Sequence, residues 1–315
     1  MDEDKYVIEV KDLVKKYDGF TALEGVSFKV KKGDVVGYLG PNGAGKTTTI
    51  KLLTNLLSPT SGEVYINGIN VFRDPTHALF DVGALIEVPG MYDYLTPNEL
   101  MTQYGKIYRM DNDNIRKRIK QVLKTVKLKD WEHKKIDDFS TGMRRRLAMG
   151  LTLLSSPEIL ILDEPVMGLD PEGIKEVREL IKTLKEKDIT IFLSSHLLQE
   201  VSMTCDKVIF LFKGKIMAYK DVEEIVEGTQ NKKISVEFLN PLSKKDKKIL
   251  SSITGIKKVK IDGNIANLYN SGNKEDRAEI LSKLVHEGYK ITTYSCGKQD
   301  LEDFYISLLE GKGGS

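Results

Sequence analysis

The segment Gly40-Pro41-Asn42-Gly43-Ala44-Gly45-Lys46-Thr47 satisfies GxxxxGK[ST] at every fixed position, and it restricts the fold more tightly than any other feature of the chain. It follows an apolar run, Val35–Leu39, and precedes a helical pattern over about Lys46–Leu57. Strand, glycine-rich turn and helix in that order are the setting in which such a motif wraps a phosphate. The glycines let consecutive backbone N–H groups turn inward, and the helix N-terminus adds the positive end of its dipole. Lys46 supplies a mobile cation for the β- and γ-phosphates, and Thr47 a hydroxyl for Mg²⁺. A second apolar run, Ile159–Leu162, ends in Asp163-Glu164. Adjacent residues of a strand point to opposite sides. One acid, Asp163, is therefore expected to hold Mg²⁺, and the other, Glu164, to orient and polarise an attacking water. The two motifs together predict a chain that binds and hydrolyses a Mg-nucleotide.

At 315 residues the chain is long enough for two domains. Hydrophobic residues make up 40% and charged residues 30%, which excludes a mostly disordered chain. Lys+Arg 48 against Asp+Glu 46 leaves a formal charge of +2, so no nucleic-acid partner is expected. The longest apolar runs fall far short of the roughly 20 residues that cross a bilayer. Two widely separated cysteines, Cys205 and Cys296, exclude a disulfide scaffold and a zinc ribbon and suit a reducing compartment. The acidic start, Met1 to Lys5, lacks an apolar stretch, so no secretory signal is expected. Residues 311–315 read as a flexible tail.

Strand-like runs at Tyr6–Val10, Val26–Val30, Val35–Leu39, Gly62–Gly68, Ile159–Leu162 and Thr190–Leu193 alternate with helical patterns, including Ile174–Glu186. This alternation predicts an α/β fold with a parallel sheet. Residues 91–155 read as a helical subdomain, with Ile115, Ile119, Val122 and Val126 at three- and four-residue spacing. Beyond about Gly228 the pattern becomes β-α-β-β-α-β, with Asp262-Gly263 as a turn. That order predicts a small α+β, ferredoxin-like domain. The expected boundaries are 1–229 and 230–310, with Gln230–Lys233 as linker.

On these and further ordered motifs, the stretch from Tyr6 to Gly228 resembles the ATP-binding subunit of ABC transporters. Tyr17, in Lys16-Tyr17-Asp18-Gly19, lies where that family places an aromatic that stacks on adenine. The resemblance implies nucleotide contacts from Gly40, Asn42, Gly43, Ala44, Gly45, Lys46, Thr47 and Thr48. Phe139-Ser140-Thr141-Gly142-Met143 matches the family signature LSGGQ, with departures at Thr141 and Met143. Ser140 is expected to cap a helix, and with Gly142 to face the nucleotide bound by the opposite subunit. Arg144-Arg145-Arg146 are expected to form a solvated helix face, with direct ATP contact as the other reading. Asp170, in Val166–Pro171, matches the acid of the loop that crosses the dimer seam. His196, after the Thr190–Leu193 strand, sits at the position of the family's switch histidine, next to Glu164 and water. His77, His133 and His286 are read as structural or solvated.

Glu87 stands where most of the family has a glutamine that senses Mg²⁺ and water. Exporters of the bacitracin-resistance and lantibiotic-immunity type share this substitution, and the chain resembles them most. Glu87 thus joins Thr47 and Asp163 as an expected metal contact. The other reading is an exposed loop acid with the sensor elsewhere. Met91, Tyr92, Tyr94 and Leu95 come after it in the chain, either to dock a membrane subunit or to pack the helical subdomain.

The resemblance implies two such domains closing head-to-tail around two ATP, with Mg²⁺ as cofactor. The partners are a second copy or a paralogous ATPase, and a separate transmembrane permease. Location at the cytoplasmic face of the membrane follows from the same resemblance, as does a role in export. A soluble ABC-type ATPase with a non-transport role is the alternative. The C-terminal domain carries no catalytic cluster and is expected to support dimerisation or regulation. Its basic run, Lys244, Lys245, Lys247 and Lys248, is read as a solvated helix face.

Overall fold

The computed structural model describes residues 5–86, 90–228, 232–270, 274–297 and 301–309. They divide into two units, one ending at Lys220 and the other starting at Asp221.

The first unit begins with strands β1 (Tyr6–Tyr17) and β2 (Phe20–Lys31), longer than the sequence suggested. They form an antiparallel hairpin in which Tyr17 pairs with Phe20 across the two-residue turn Asp18-Gly19. Strand β3 (Val35–Leu39) is buried throughout. Helix α1 (Lys46–Leu53) leaves the glycine-rich turn. It stops short of Leu57 because Asn55 turns left-handed, with φ 56°, the usual way a helix is closed by Gly or Asn. Strands β4 (Ser61–Ile66) and β5 (Ile69–Asn70) complete a four-stranded sheet in the order β2-β1-β4-β5.

After α2 (Pro75–Ala78) and β6 (Val82–Leu85) come α3 (Pro97–Ile107), α4 (Asn112–Thr125) and α5 (Thr141–Leu153), the helical part expected over 91–155. Thr96 and Asp111 cap α3 and α4 by accepting from the amides of Glu99 and Asn114. Strands β7 (Ile159–Leu162) and β8 (Thr190–Ser195) flank helix α6 (Pro171–Lys185). Helix α7 (Leu198–Thr204), β9 (Lys207–Phe212) and β10 (Lys215–Asp221) come next. The second sheet runs β10-β9-β3-β8-β7-β6. Its pairs β6/β7, β7/β8, β8/β3 and β3/β9 are parallel.

The two sheets share one core. Phe28 of β2 stacks on Phe192 of β8 with ring centroids 5.5 Å apart. Tyr38 of β3 packs against Phe192 at 5.3 Å. The Tyr38 hydroxyl lies 3.1 Å from Thr49 Oγ1 and ties α1 to β3; complete burial raises its phenol well above the ordinary range. Leu162 pairs with Leu193, and Tyr38 with Ser194, so the carboxyl ends of β3, β8 and β7 finish side by side. Ligands of open parallel sheets bind outside those ends.

The second unit contains α8 (Val222–Gly228), β11 (Lys232–Phe238), α9 (Lys244–Ser252), β12 (Ile256–Asp262), β13 (Ile265–Asn270), α10 (Lys274–His286), β14 (Ile291–Gly297) and α11 (Leu301–Leu309). The sequence-based boundary at 229/230 is corrected here: α8 belongs with the second unit, where it packs against α11. The sheet order is β12-β13-β11-β14, with antiparallel pairing between neighbours. Its core includes Val236, Phe238, Leu250, Leu268 and Leu284. Ser243 caps α9 in a reciprocal box with Asp246. Lys245, Lys247 and Lys248 lie on α9, with Lys245 and Lys248 among its charged surface groups. Of the expected linker, residues 230 and 231 lie outside the described residues, as does the tail 311–315.

Candidate nucleotide site

The glycine-rich turn leaves β3 and enters α1. Gly45 holds φ 112°, and a Cβ there would stand 2.8 Å from the Ala22 carbonyl. Only glycine fits both the angle and the space. Gly40 is buried, and its amide donates to the Ser195 carbonyl at 3.4 Å. Ala44 is buried too and donates to the Pro41 carbonyl at 3.1 Å. Asn42, Gly43, Gly45, Lys46, Thr47 and Thr48 line a cavity of about 480 Å³. Lys46 is buried, donating to the Gly40 carbonyl at 2.8 Å and lying 3.2 Å from Glu164 Oε1.

The acids arrive at the end of β7. Asp163 is buried; its Oδ2 accepts from Thr47 Oγ1 at 2.8 Å and its Oδ1 from Ser194 Oγ at 2.5 Å. Glu164 places Oε2 at 2.9 Å from His196 Nδ1, and its amide donates to Ser194 Oγ at 2.9 Å. One serine of β8 therefore touches both acids. Glu164 stands in the left-handed region, φ 46°, a conformation that costs a non-glycine residue energy and gathers at functional sites.

Tyr17 and Phe20, which flank the turn of the β1–β2 hairpin, also line the cavity and are 45% and 59% exposed. Rings this open are free to receive a flat ligand. Lys15 Nζ lies 5.0 Å from the Tyr17 centroid. Two helix starts complete the neighbourhood. Ser140 caps α5, accepting from the Met143 amide at 3.2 Å, and Asp170 caps α6, accepting from Gly173 at 2.9 Å. A Cβ at Gly142 would stand 3.8 Å from Gly173 Cα, so the two starts are neighbours.

The ABC transporter family matches residues 23–167. The chain is 37% identical over 309 residues to the bacitracin transport ATP-binding protein BcrA of Bacillus licheniformis, covering 97% of this chain and 98% of that one. The chain belongs to the ABC transporter ATP-binding family. Among solved structures, an ATP-binding subunit of an ABC transporter is similar with a TM-score of 0.62 at 31% identity, covering 70% of this chain and 92% of the other. A dimeric ATP-binding cassette in a post-hydrolysis state, bound to ADP and Pi, is similar with a TM-score of 0.61 at 25% identity, covering 68% and 98%. This ABC subunit is an ATP-binding ATP hydrolase of that family.

The ABC subunit's structure brings Tyr17, Lys46, Thr47, Asp163 and Glu164 to one cavity, with His196 bound to Glu164. Glu87 lies outside the described residues. The arginine run is a correction: Arg145 and Arg146 are buried, not solvated. Arg146 Nη1 donates to the Val126 carbonyl at 3.0 Å at the C-terminus of α4, and its Nε lies 3.2 Å from Glu176. Arg145 lines the cavity. Burial pushes its guanidinium below the ordinary range while Asp163 and Glu164 pull it back up. Arg144 pairs with Asp93. The sequence held a signal for this: Leu147 to Leu154 is apolar nearly all round, the mark of a helix buried on every side. Its preceding turn must then be drawn inward. Phe20 and Ser194 were also missed. Asp18-Gly19 is a strong hairpin signal that places Phe20 opposite Tyr17.

Thr47 Oγ1 and Asp163 Oδ2 already stand together, a hydroxyl and a carboxylate oxygen of the hard-donor type that Mg²⁺ takes. The donor set therefore fits that ion. Among the described residues no helix is long and apolar enough to cross a membrane.

Proposed function

We propose that this ABC subunit powers an exporter through a separate transmembrane permease and works as a dimer. The observation that carries the reading is one cavity lined by Lys46, Asp163, Glu164 and Tyr17, with Glu164 held between Lys46 and His196. Lys46 binds the β- and γ-phosphates, and the amides of Asn42–Thr48 surround them. Thr47 and Asp163 hold Mg²⁺, which neutralises phosphate charge when bound. Glu164 accepts the proton of the attacking water, with His196 fixing its carboxylate. Tyr17 stacks on the base. Ser140 and Gly142 meet the nucleotide of the opposite subunit, and Asp170 stands at the seam. Glu87 is proposed as the metal and water sensor in place of glutamine.

Differential affinity of ATP for the closed dimer drives closure, and loss of the γ-phosphate reverses it. Tyr92 and Tyr94, 58% and 68% exposed with centroids 5.7 Å apart, offer apolar surface to the permease. The likeness to a protein named for bacitracin transport supports the export reading. The second unit serves dimer support or regulation. Attachment at the cytoplasmic face of the membrane follows from the permease.

The test is affinity purification of the tagged chain from detergent-solubilised native membranes, followed by phosphate release. Recovery of a polytopic membrane protein and ATP turnover is expected. A chain that turns over ATP but leaves the membrane fraction empty-handed favours the non-transport alternative.

A further inference from the structure

The left-handed backbone of Glu164 persists only because neighbours hold it. The Glu164 amide donates to Ser194 Oγ at 2.9 Å. The Glu164 carbonyl accepts from the Met167 amide at 3.1 Å, which closes the turn. The Met167 carbonyl accepts from Arg145 Nη2 at 3.0 Å. Both backbone groups of Met167 are thus engaged, one by the acid and one by a guanidinium rooted in α5. Met167 itself is 56% exposed, so its side chain does little to anchor the turn.

Arg145 is 5% exposed and lines the same cavity as Asp163 and Glu164. Among the described residues its buried Nε has no hydrogen-bond partner. Burying a cation and leaving one of its donors unpaired is unfavourable for folding. A residue kept in that condition beside two carboxylates points to a role in the site rather than in stability.

We propose that Arg145 is a positioning residue for ATP hydrolysis. Through the Met167 carbonyl it keeps Glu164 in its left-handed turn, with the carboxylate between Lys46 and His196, and so ties α5 to the acid of its own chain. Helix α5 then serves two sites: its cap, Ser140, is offered to the nucleotide of the opposite subunit, and Arg145, about one turn further on, steadies the acid in cis. The inference rests on the assignment of Glu164 as the acid that polarises water.

The test uses the full chain in complex with its membrane subunit. Arg145→Met removes the donor at similar length. We expect kcat to fall roughly tenfold or more, as a misplaced acid demands, with KM for ATP within about twofold of wild type. The affinity of the full chain for a fluorescent ATP analogue should also stay within about twofold, since the glycine-rich turn is untouched. Arg145→Lys restores a charged donor and should recover kcat to within about threefold of wild type. Undiminished kcat in Arg145→Met overturns the proposal. So does a parallel loss of analogue affinity, the mark of a binding or folding residue, and so does a lysine variant no better than methionine. Glu164→Gln is measured alongside. If it turns over like wild type, the assignment of the acid fails and the inference with it. If it is inactive while Arg145→Met is not, the inference alone fails.

Discussion

The two units bury polar groups in different ways. In the first, Lys46, Asp163, Ser194 and Arg145 are buried together at the carboxyl ends of parallel strands, beside a non-glycine residue in a left-handed conformation. In the second, the polar contacts include a helix cap and two tyrosine–carboxylate pairs. Ser243 and Asp246 cap α9, the Tyr289 hydroxyl donates to Asp246 at 2.9 Å, and the Tyr269 hydroxyl donates to Asp303 at 2.6 Å. Concentrated buried charge with strain is what a site for phosphate chemistry requires. Caps and paired polar groups are what stability requires. The contrast teaches that substitutions of polar residues in the first unit should act on turnover, and those in the second on folding.

The sharpest break of that contrast is Glu164→Gln. Turnover should fall about a thousandfold with ATP affinity retained, because general-base contributions lie on the order of 10²–10⁴; phosphate release and equilibrium binding measure the two. Phe238→Ala removes a buried ring from the core of the second unit. It should cost about 3–4 kcal/mol of that unit's stability, read by denaturant unfolding, while leaving ATP affinity within about twofold. Coupled loss of affinity would blur the division. Ser194→Ala deletes the hydroxyl shared by the two acids. It should lower kcat roughly 10–100-fold through misplacement of Glu164, with a small change in melting temperature.

The smallest effect concerns pH. Burial, and then the Asp246 carboxylate, push the Tyr289 phenol up to about 12. The folded chain keeps that proton at pH values where the unfolded chain, titrating near 10, has lost it. Stability from this group is therefore complete below about pH 10 and fades as pH rises toward 12. Tyr289→Phe should flatten that part of the unfolding profile, followed by circular dichroism.

Local motifs account for what could be read from residue order. The turn from Gly40 to Thr47 is contiguous, and its glycines, lysine and threonine do their work within one turn of chain. Ser140 as a helix cap was equally legible, since capping involves residues three apart. Asp170 was noted as an acid of a loop, yet its capping of α6 was visible too, since a proline follows it at the first helical position. Arg145 was not legible in the same way. Three consecutive arginines look alike in sequence, and only the packing of α5 separates the one facing Asp93 from the two drawn inside. Ser194 escaped for a related reason, since a serine at a strand end acquires meaning only from the strand beside it.

The order of residues along the chain thus determined the chemistry on offer: a phosphate-wrapping turn, a pair of acids at the end of an apolar strand, a histidine after another, and the family to which they belong. The tertiary structure decided which groups meet. Thr47 and Asp163 are 116 positions apart, and Ser194 and Asp163 are 31 apart. Such partners are brought together by the registry of parallel strands and by a helix packed against them. Side-chain spacing within a segment carries no information about that registry, because it is set by hydrogen bonds between segments and by the core they jointly bury.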